Sequence, residues 1–167
     1  MRDMTREDLA GAFAGESQAH MKYKAFADVA EREKLPNVAR LFRAASYAEQ
    51  AHATNHLRAL GGIGKTAENL AAAFAGETFE INEMYPAYMA VAELQGEKKA
   101  LGSMQDALAA EKIHAALYAA AQAAVAAGTD ISDAPVWVCE TCGFTVEGEA
   151  PEKCPVCGAV RTKFKQF

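Results

Sequence analysis

Ala73-Phe74-Ala75-Gly76-Glu77-Thr78 repeats, at an offset of 61 residues, the earlier stretch Ala12-Phe13-Ala14-Gly15-Glu16-Ser17. A second pair keeps step with it: Glu49-Gln50-Ala51-His52 returns as Glu111-Lys112-Ile113-His114 at an offset of 62. The chain therefore contains two similar halves, each with one Glu followed by one Glu-x-x-His. Residues at i and i+3 share a helix face, so Glu49 and His52 reach one point, as do Glu111 and His114, and Glu77 with Glu80. Ala, Phe, Leu, Tyr and Met surround these acids. The stripe that carries the carboxylates is thus the stripe that must turn inward.

Outward from these repeats, the sequence from Thr5 to about Gly128 is rich in Ala, Leu, Glu, Lys and Met, all strong helix formers. Pro36, the run Gly61-Gly62-Ile63-Gly64 and Gly96 interrupt it. The expected helices span roughly 5–33, 37–60, 66–95 and 97–127, so each half is a helix hairpin. Pro86 falls inside the third helix, where it removes a backbone donor and should kink it. From about Asp130 the composition shifts to Pro, Val, Cys and Gly, which predicts a short linker into a β-rich ribbon.

Several unpaired carboxylates in an apolar core would cost many kcal/mol, because even one desolvated charge costs several. Metal ions remove that difficulty. A Glu from each of two helices plus Glu-x-x-His from each of the other two is the ligand set of di-iron and di-manganese carboxylate bundles. Zinc is the competitor, because His52 and His56 are also spaced i, i+4. The repeat argues against a His-rich zinc site: His52 maps to His114, whereas His56 maps to Tyr118 and His20 to Ile81. Oxygen ligands outnumber imidazoles, which favours iron or manganese. One position breaks the symmetry: Glu80 has Ala19 as its twin, so the second hairpin brings an additional carboxylate. A redox site that changes coordination would use such a ligand.

All four cysteines lie in the tail, as Cys139-x-x-Cys142 and Cys154-x-x-Cys157. Without a signal peptide, that pattern favours a metal over disulfides. Roughly thirty residues bury too little apolar surface to fold alone, and four thiolates around one metal supply the staple. Trp137, Phe144 and Phe164 are available as a small aromatic core. Iron and zinc both suit such a site.

The net charge of -5 arises from 17 Lys and Arg against 22 Asp and Glu. The tail from Ala134 holds four of each sign, so the helical part, with 13 against 18, carries the whole imbalance. A basic nucleic-acid footprint is absent, and no stretch approaches the roughly 18 to 20 apolar residues a membrane span needs. The charged start, MRDMTREDLA, fits a cytoplasmic protein. Gly64-Lys65-Thr66 ends like a phosphate-binding loop, but the full pattern requires Gly where the chain has Ala59. It is better read as a helix connector with Thr66 as N-cap.

Taken in order, Ala14-Gly15-Glu16-Ser17-Gln18-Ala19, Glu49-x-x-His52, Gly76-Glu77-x-x-Glu80, Glu83-Met84-Tyr85-Pro86, Glu111-x-x-His114 and the terminal four-cysteine ribbon resemble the rubrerythrin family. The resemblance spans essentially the whole chain. It implies a mainly α protein: a ferritin-like four-helix bundle over 1–130, followed by a small rubredoxin-like four-cysteine β-ribbon over 135–167. It implies a di-iron site held by Glu16, Glu49, Glu77, Glu80, Glu111 and His114 when oxidised, with His52 taking over from Glu80 when reduced. Tyr23 and Tyr85 match tyrosines that hydrogen-bond the ligand carboxylates. Cys139, Cys142, Cys154 and Cys157 would hold one further iron.

The activity implied is reduction of hydrogen peroxide to water, with electrons relayed through the four-thiolate iron from an external reductase or redox protein. A ferroxidase or iron-storage protein and a plain electron-transfer module are the rivals. Loop length adds an expectation about assembly. In such a bundle the second and third helices run parallel, so their connection must return roughly 27 Å, whereas about six residues span at most ~20 to 22 Å. The expected solution is a domain-swapped homodimer, in which Glu16, Glu49 and His52 of one chain meet Glu77, Glu80, Glu111 and His114 of another.

Overall fold

A computed structural model describes residues 1–167. The helices are α1 (Asp3–Arg32), α2 (Pro36–Ala59), α3 (Thr66–Phe79), α4 (Tyr85–Leu94) and α5 (Lys98–Ala126), with a π-helical turn, Glu80–Met84, joining α3 to α4. The ribbon contributes β1 (Val136–Cys139), β2 (Thr145–Glu147), a 3-10 turn (Arg161–Lys163) and β3 (Phe164–Gln166). The chain divides into two compact units, Met1–Gly64 and Lys65–Phe167.

The first unit is the α1–α2 hairpin. Lys34, at φ 61°, makes the reversal, and its neighbour Leu35 donates its backbone N–H to the Ala30 carbonyl at 2.9 Å. Pro36 then opens α2 at a position where a backbone N–H would have had no partner. Small residues line the contact: Ala27, Ala30, Ala39, Ser46 and Ala53 are buried. Their size lets the two backbones approach closely. Across the seam, Arg43 pairs with Glu31 at 2.9 Å on the exposed side. Larger apolar groups of this hairpin, among them Met21, Phe26 and Leu41, remain exposed.

In the second unit, α3, the π turn and α4 form one continuous rod against α5. Pro86 falls in the first turn of α4, directly after the π turn. There the Tyr85 N–H reaches back to the Glu80 carbonyl, one residue further than in an α-helix. The wider turn takes up the missing donor and the bulk of the ring, so the irregularity expected at Pro86 takes the form of a π turn. Gln122 Nε2 donates to the Leu70 carbonyl at 3.0 Å and ties α5 to α3. The N-cap of α3 is Lys65 rather than Thr66. The Lys65 backbone N–H donates to the Glu68 carboxylate at 2.7 Å, and the helix starts one residue earlier than it would with a Thr66 cap.

The ribbon is an antiparallel sheet of order β2-β1-β3, with Trp137 opposite Val146 and Gln166. Its core is Cys139, Ala150, Cys154 and Phe164, with Trp137 and Phe144 packed on it. Phe144 and Phe164 meet edge to face at 6.2 Å. Sulfur and aromatic carbon thus occupy the place a larger apolar core would fill.

Candidate metal centres

Each unit gathers two carboxylates and one imidazole. On the α1–α2 hairpin, the ligand atoms of Glu16, Glu49 and His52 lie within 4.8 Å of one another, and on α3 and α5 those of Glu77, Glu111 and His114 do the same. His52 Nδ1 stands 2.9 Å from Glu49 Oε2 and 3.8 Å from Glu16 Oε1. His114 Nδ1 stands 2.7 Å from Glu111 Oε2. The repeat in the sequence has become a repeat in space. Glu80 lies outside the tight triad on the second unit, yet the Glu111 charge acts on it, and it opens the π turn. Turns of that kind are frequent at functional sites.

The electrostatics of the second cluster ask for a cation. Burial first, then the Glu111 charge and a hydrogen bond shared with it, push the Glu77 carboxyl up to about 7. Burial and the Glu111 charge also raise Glu80. Tyr85 is raised by burial and then by Glu80, Glu111 and Glu77, so its phenol stays protonated and can donate a hydrogen bond. In a metal-free chain, a proton between Glu77 and Glu111 takes the place of the ion.

A pH dependence follows with a definite sign. The unfolded Glu77 releases its proton near 4.5 and the folded one near 7, so the folded state holds more protons between those values. The contribution of Glu77 to stability therefore falls as pH rises through that window and is level above it. Thermal unfolding of the chelator-treated protein, followed by circular dichroism, should show this decline, and Glu77→Gln should flatten it. An unchanged slope in that variant would assign the effect elsewhere.

His20 and His56 do not join either cluster. Ser46 Oγ donates to the His20 carbonyl at 2.9 Å. His20 Nδ1 therefore carries the hydrogen that points at the Ser46 carbonyl, 2.8 Å away. The ring braces α1 against α2. Tyr23 packs with Phe26 and Phe42, at 6.3 and 6.2 Å between ring centroids.

The four cysteines of the ribbon form the third cluster, all Sγ atoms within 4.8 Å. Cys139 and Cys157 are 3.7 Å apart and Cys142 and Cys154 3.5 Å. A tetrahedron with metal–sulfur bonds of about 2.3 Å has edges of about 3.8 Å, so the cage fits one metal ion. Burial opposes thiolate formation at Cys139, but backbone N–H groups of Thr141 and Cys142 outweigh it and bring the thiol down to about 7. Burial raises Cys142 and Cys157. A bound cation would offset that cost. No helix is long and apolar enough to cross a membrane.

One contact was invisible in the sequence. Thr145, buried on β2, places its hydroxyl 2.9 Å from His114 Nε2 and donates to the Gly143 carbonyl at 2.9 Å. Nothing in the spacing of Thr145 from the cysteines predicts that it meets a histidine 31 residues upstream.

These features define a class: a ferritin-like helical protein with paired carboxylate–histidine clusters and a rubredoxin-like four-thiolate ribbon. Comparison with known proteins narrows it. The family model described as rubrerythrin matches residues 7–122, and that of the rubrerythrin rubredoxin-like domain matches 137–165. Rubrerythrin-2 of Clostridium acetobutylicum is 40% identical, covering 98% of this chain and 97% of its own. Nigerythrin of Nitratidesulfovibrio vulgaris is 33% identical over 98% of this chain and 86% of its own. The solved structure of fully reduced, all-ferrous nigerythrin superposes with a TM-score of 0.56 at 33% identity, covering 98% of this chain and 86% of that one. The chain belongs to the rubrerythrin family, and its cofactors are a di-iron pair and one iron in the four-cysteine site.

Proposed function

We propose that this protein is a peroxide reductase, converting hydrogen peroxide, two protons and two electrons to two molecules of water. The observation that carries this reading is the presence, in one chain, of two carboxylate–histidine clusters together with a four-thiolate cage. When bound, the iron pair supplies one electron per iron to the O–O bond, and the four-thiolate iron restores them singly. Glu16, Glu49, His52, Glu77, Glu111 and His114 would hold the pair, with Glu80 as the exchangeable ligand. His52 would take its place on reduction. Tyr85 keeps its proton among the ligand carboxylates and orients them; Tyr23 is assigned the matching role on the first hairpin. Cys139, Cys142, Cys154 and Cys157 would hold the relay iron. An external reductase or redox protein feeds it, in the cytoplasm. The bundle domain is drawn over 1–130 and the relay domain over 135–167.

Anaerobic turnover with hydrogen peroxide, compared with oxygen under the same reductase, tests the activity. Faster consumption of peroxide is the expected result. Preference for oxygen with iron accumulating on the protein would support a ferroxidase, and turnover of neither would leave an electron carrier.

The two clusters are proposed to meet in a domain-swapped homodimer. From His52 to the end of α2 at Ala59 and from Thr66 to Glu77 there are seven and eleven residues, about 27 Å of helix. The connector spends Gly61, at φ 75°, and Gly62 on closing α2, since their N–H groups donate to Arg58 and Leu57. Only Ile63 to Lys65 remain to reach, about 10 to 14 Å at full extension. Mixing chains that carry Glu49→Ala with chains that carry Glu111→Ala checks the exchange. In swapped dimers, half the population is mixed and each mixed dimer has one intact site, so about a quarter of the wild-type activity returns. No recovery after exchange of subunits would show that each bundle is made by one chain.

A further inference from the structure

We propose that Thr145 is a positioning residue for the metal centre: its hydroxyl fixes the tautomer and orientation of His114 and couples the ribbon's four-thiolate site to that histidine within one chain. The Thr145 hydroxyl has a single proton, and the Gly143 carbonyl 2.9 Å away receives it. The hydroxyl oxygen can therefore only accept from His114 Nε2, at 2.9 Å. Nε2 thus carries a hydrogen in every protonation state of the ring, and in the neutral ring the lone pair falls to Nδ1. Nδ1 faces Glu111 Oε2 at 2.7 Å, a contact that a proton bridges in the metal-free chain and that a metal ion would take over once that proton leaves. The tautomer set by Thr145 is the one a metal at the Glu111–His114 cluster requires.

The same hydroxyl lies on a short path between the two centres. From the Cys142 thiolate the chain runs to Gly143, whose carbonyl accepts from Thr145, whose oxygen accepts from His114. Gly143 sits over α5, where an added Cβ would lie 3.6 Å from the Ala110 Cβ. Iron held by the four cysteines would supply electrons one at a time, each oxidising it from ferrous to ferric and reducing one ferric iron of the pair that Glu111 and His114 would help to hold, so two such transfers would replace the two electrons taken by one peroxide. The protons on Nε2 and Oγ1 stay where they are. His52, the repeat partner of His114, is 55% exposed, so the two imidazoles are not held alike.

This inference rests on the peroxide-reductase reading for its kinetic arm only. In the full-length chain, Thr145→Val keeps the shape and removes the hydroxyl, and Thr145→Ser keeps the hydroxyl. Nitrogen NMR of histidine-labelled protein loaded with diamagnetic zinc reads the ring directly. The wild type and Thr145→Ser should show a His114 Nε2–H protected from exchange, and Thr145→Val should lose that protection. In the iron-loaded protein, reduced and then mixed with one equivalent of peroxide, the ferric four-thiolate absorption should return at least about tenfold more slowly in Thr145→Val, the scale of losing an outer partner of a metal ligand. Thr145→Ser should restore the rate. Equal protection and equal rates in all three proteins would overturn the proposal. A wild type that ignores peroxide, with the NMR difference intact, would leave the positioning role standing and remove the peroxide reading instead.

Discussion

Substituting Cys154 by serine should abolish the supply of electrons to the helical domain while the helices stay folded. Cys154 is 3% exposed and lies in the small core that the cage organises. With one thiolate gone the metal is lost or loosened, and for a ribbon of this size metal binding is folding free energy. The helical hairpins have their own contacts, such as those between α1 and α2 and between Gln122 and Leu70. Circular dichroism should therefore keep its helical signal, while the visible absorption of a ferric four-thiolate centre disappears. Peroxide turnover driven by the reductase should fall by more than the ~10- to 100-fold typical of losing an outer-shell partner. Full turnover in this variant would show that electrons reach the iron pair by another route.

Glu80→Ala should impair cycling far more than iron content. The residue is the asymmetric one: its twin in the first hairpin is Ala19, and it lies outside the Glu77, Glu111 and His114 triad while still interacting with Glu111 and His114 electrostatically. Six ligands remain after its removal, the usual complement of a carboxylate bundle. Iron analysis should thus find the pair still loaded, with peroxide turnover lowered by at least about tenfold, about 1.4 kcal/mol in the barrier. Because Glu80 also opens the π turn, Glu80→Gln serves as the control. It keeps a side chain of the same length and should show the same defect if charge and ligation matter. Loss of both irons in either variant would instead make Glu80 a structural ligand.

Much of this was legible from periodicity. Two Glu-x-x-His patterns with two aligned Gly-Glu pairs were enough to place carboxylates and imidazoles on common helix faces, because a 3.6-residue helix brings i and i+3 together whatever surrounds it. The cysteine spacing was similarly sufficient, since two Cys-x-x-Cys turns leave four sulfurs little to do but converge. The resemblance of the whole motif order to the rubrerythrin family then supplied the identity of the metals.

Tertiary structure decided what depends on contacts between distant segments. Pro86 was expected to disturb the third helix, and the disturbance takes the form of a π turn over Glu80–Met84, a local choice of hydrogen bonding that periodicity alone does not specify. Ser46 and His20, 26 residues apart, brace one hairpin through hydrogen bonds that no local pattern encodes. Thr145 reads in sequence as an ordinary β-branched strand residue. Only when β2 lies against α5 does its hydroxyl meet His114. Local chemistry determines which residues can bind a metal; the fold determines which hydrogen bonds hold those residues ready, because such bonds form between groups whose separation along the chain carries no signal.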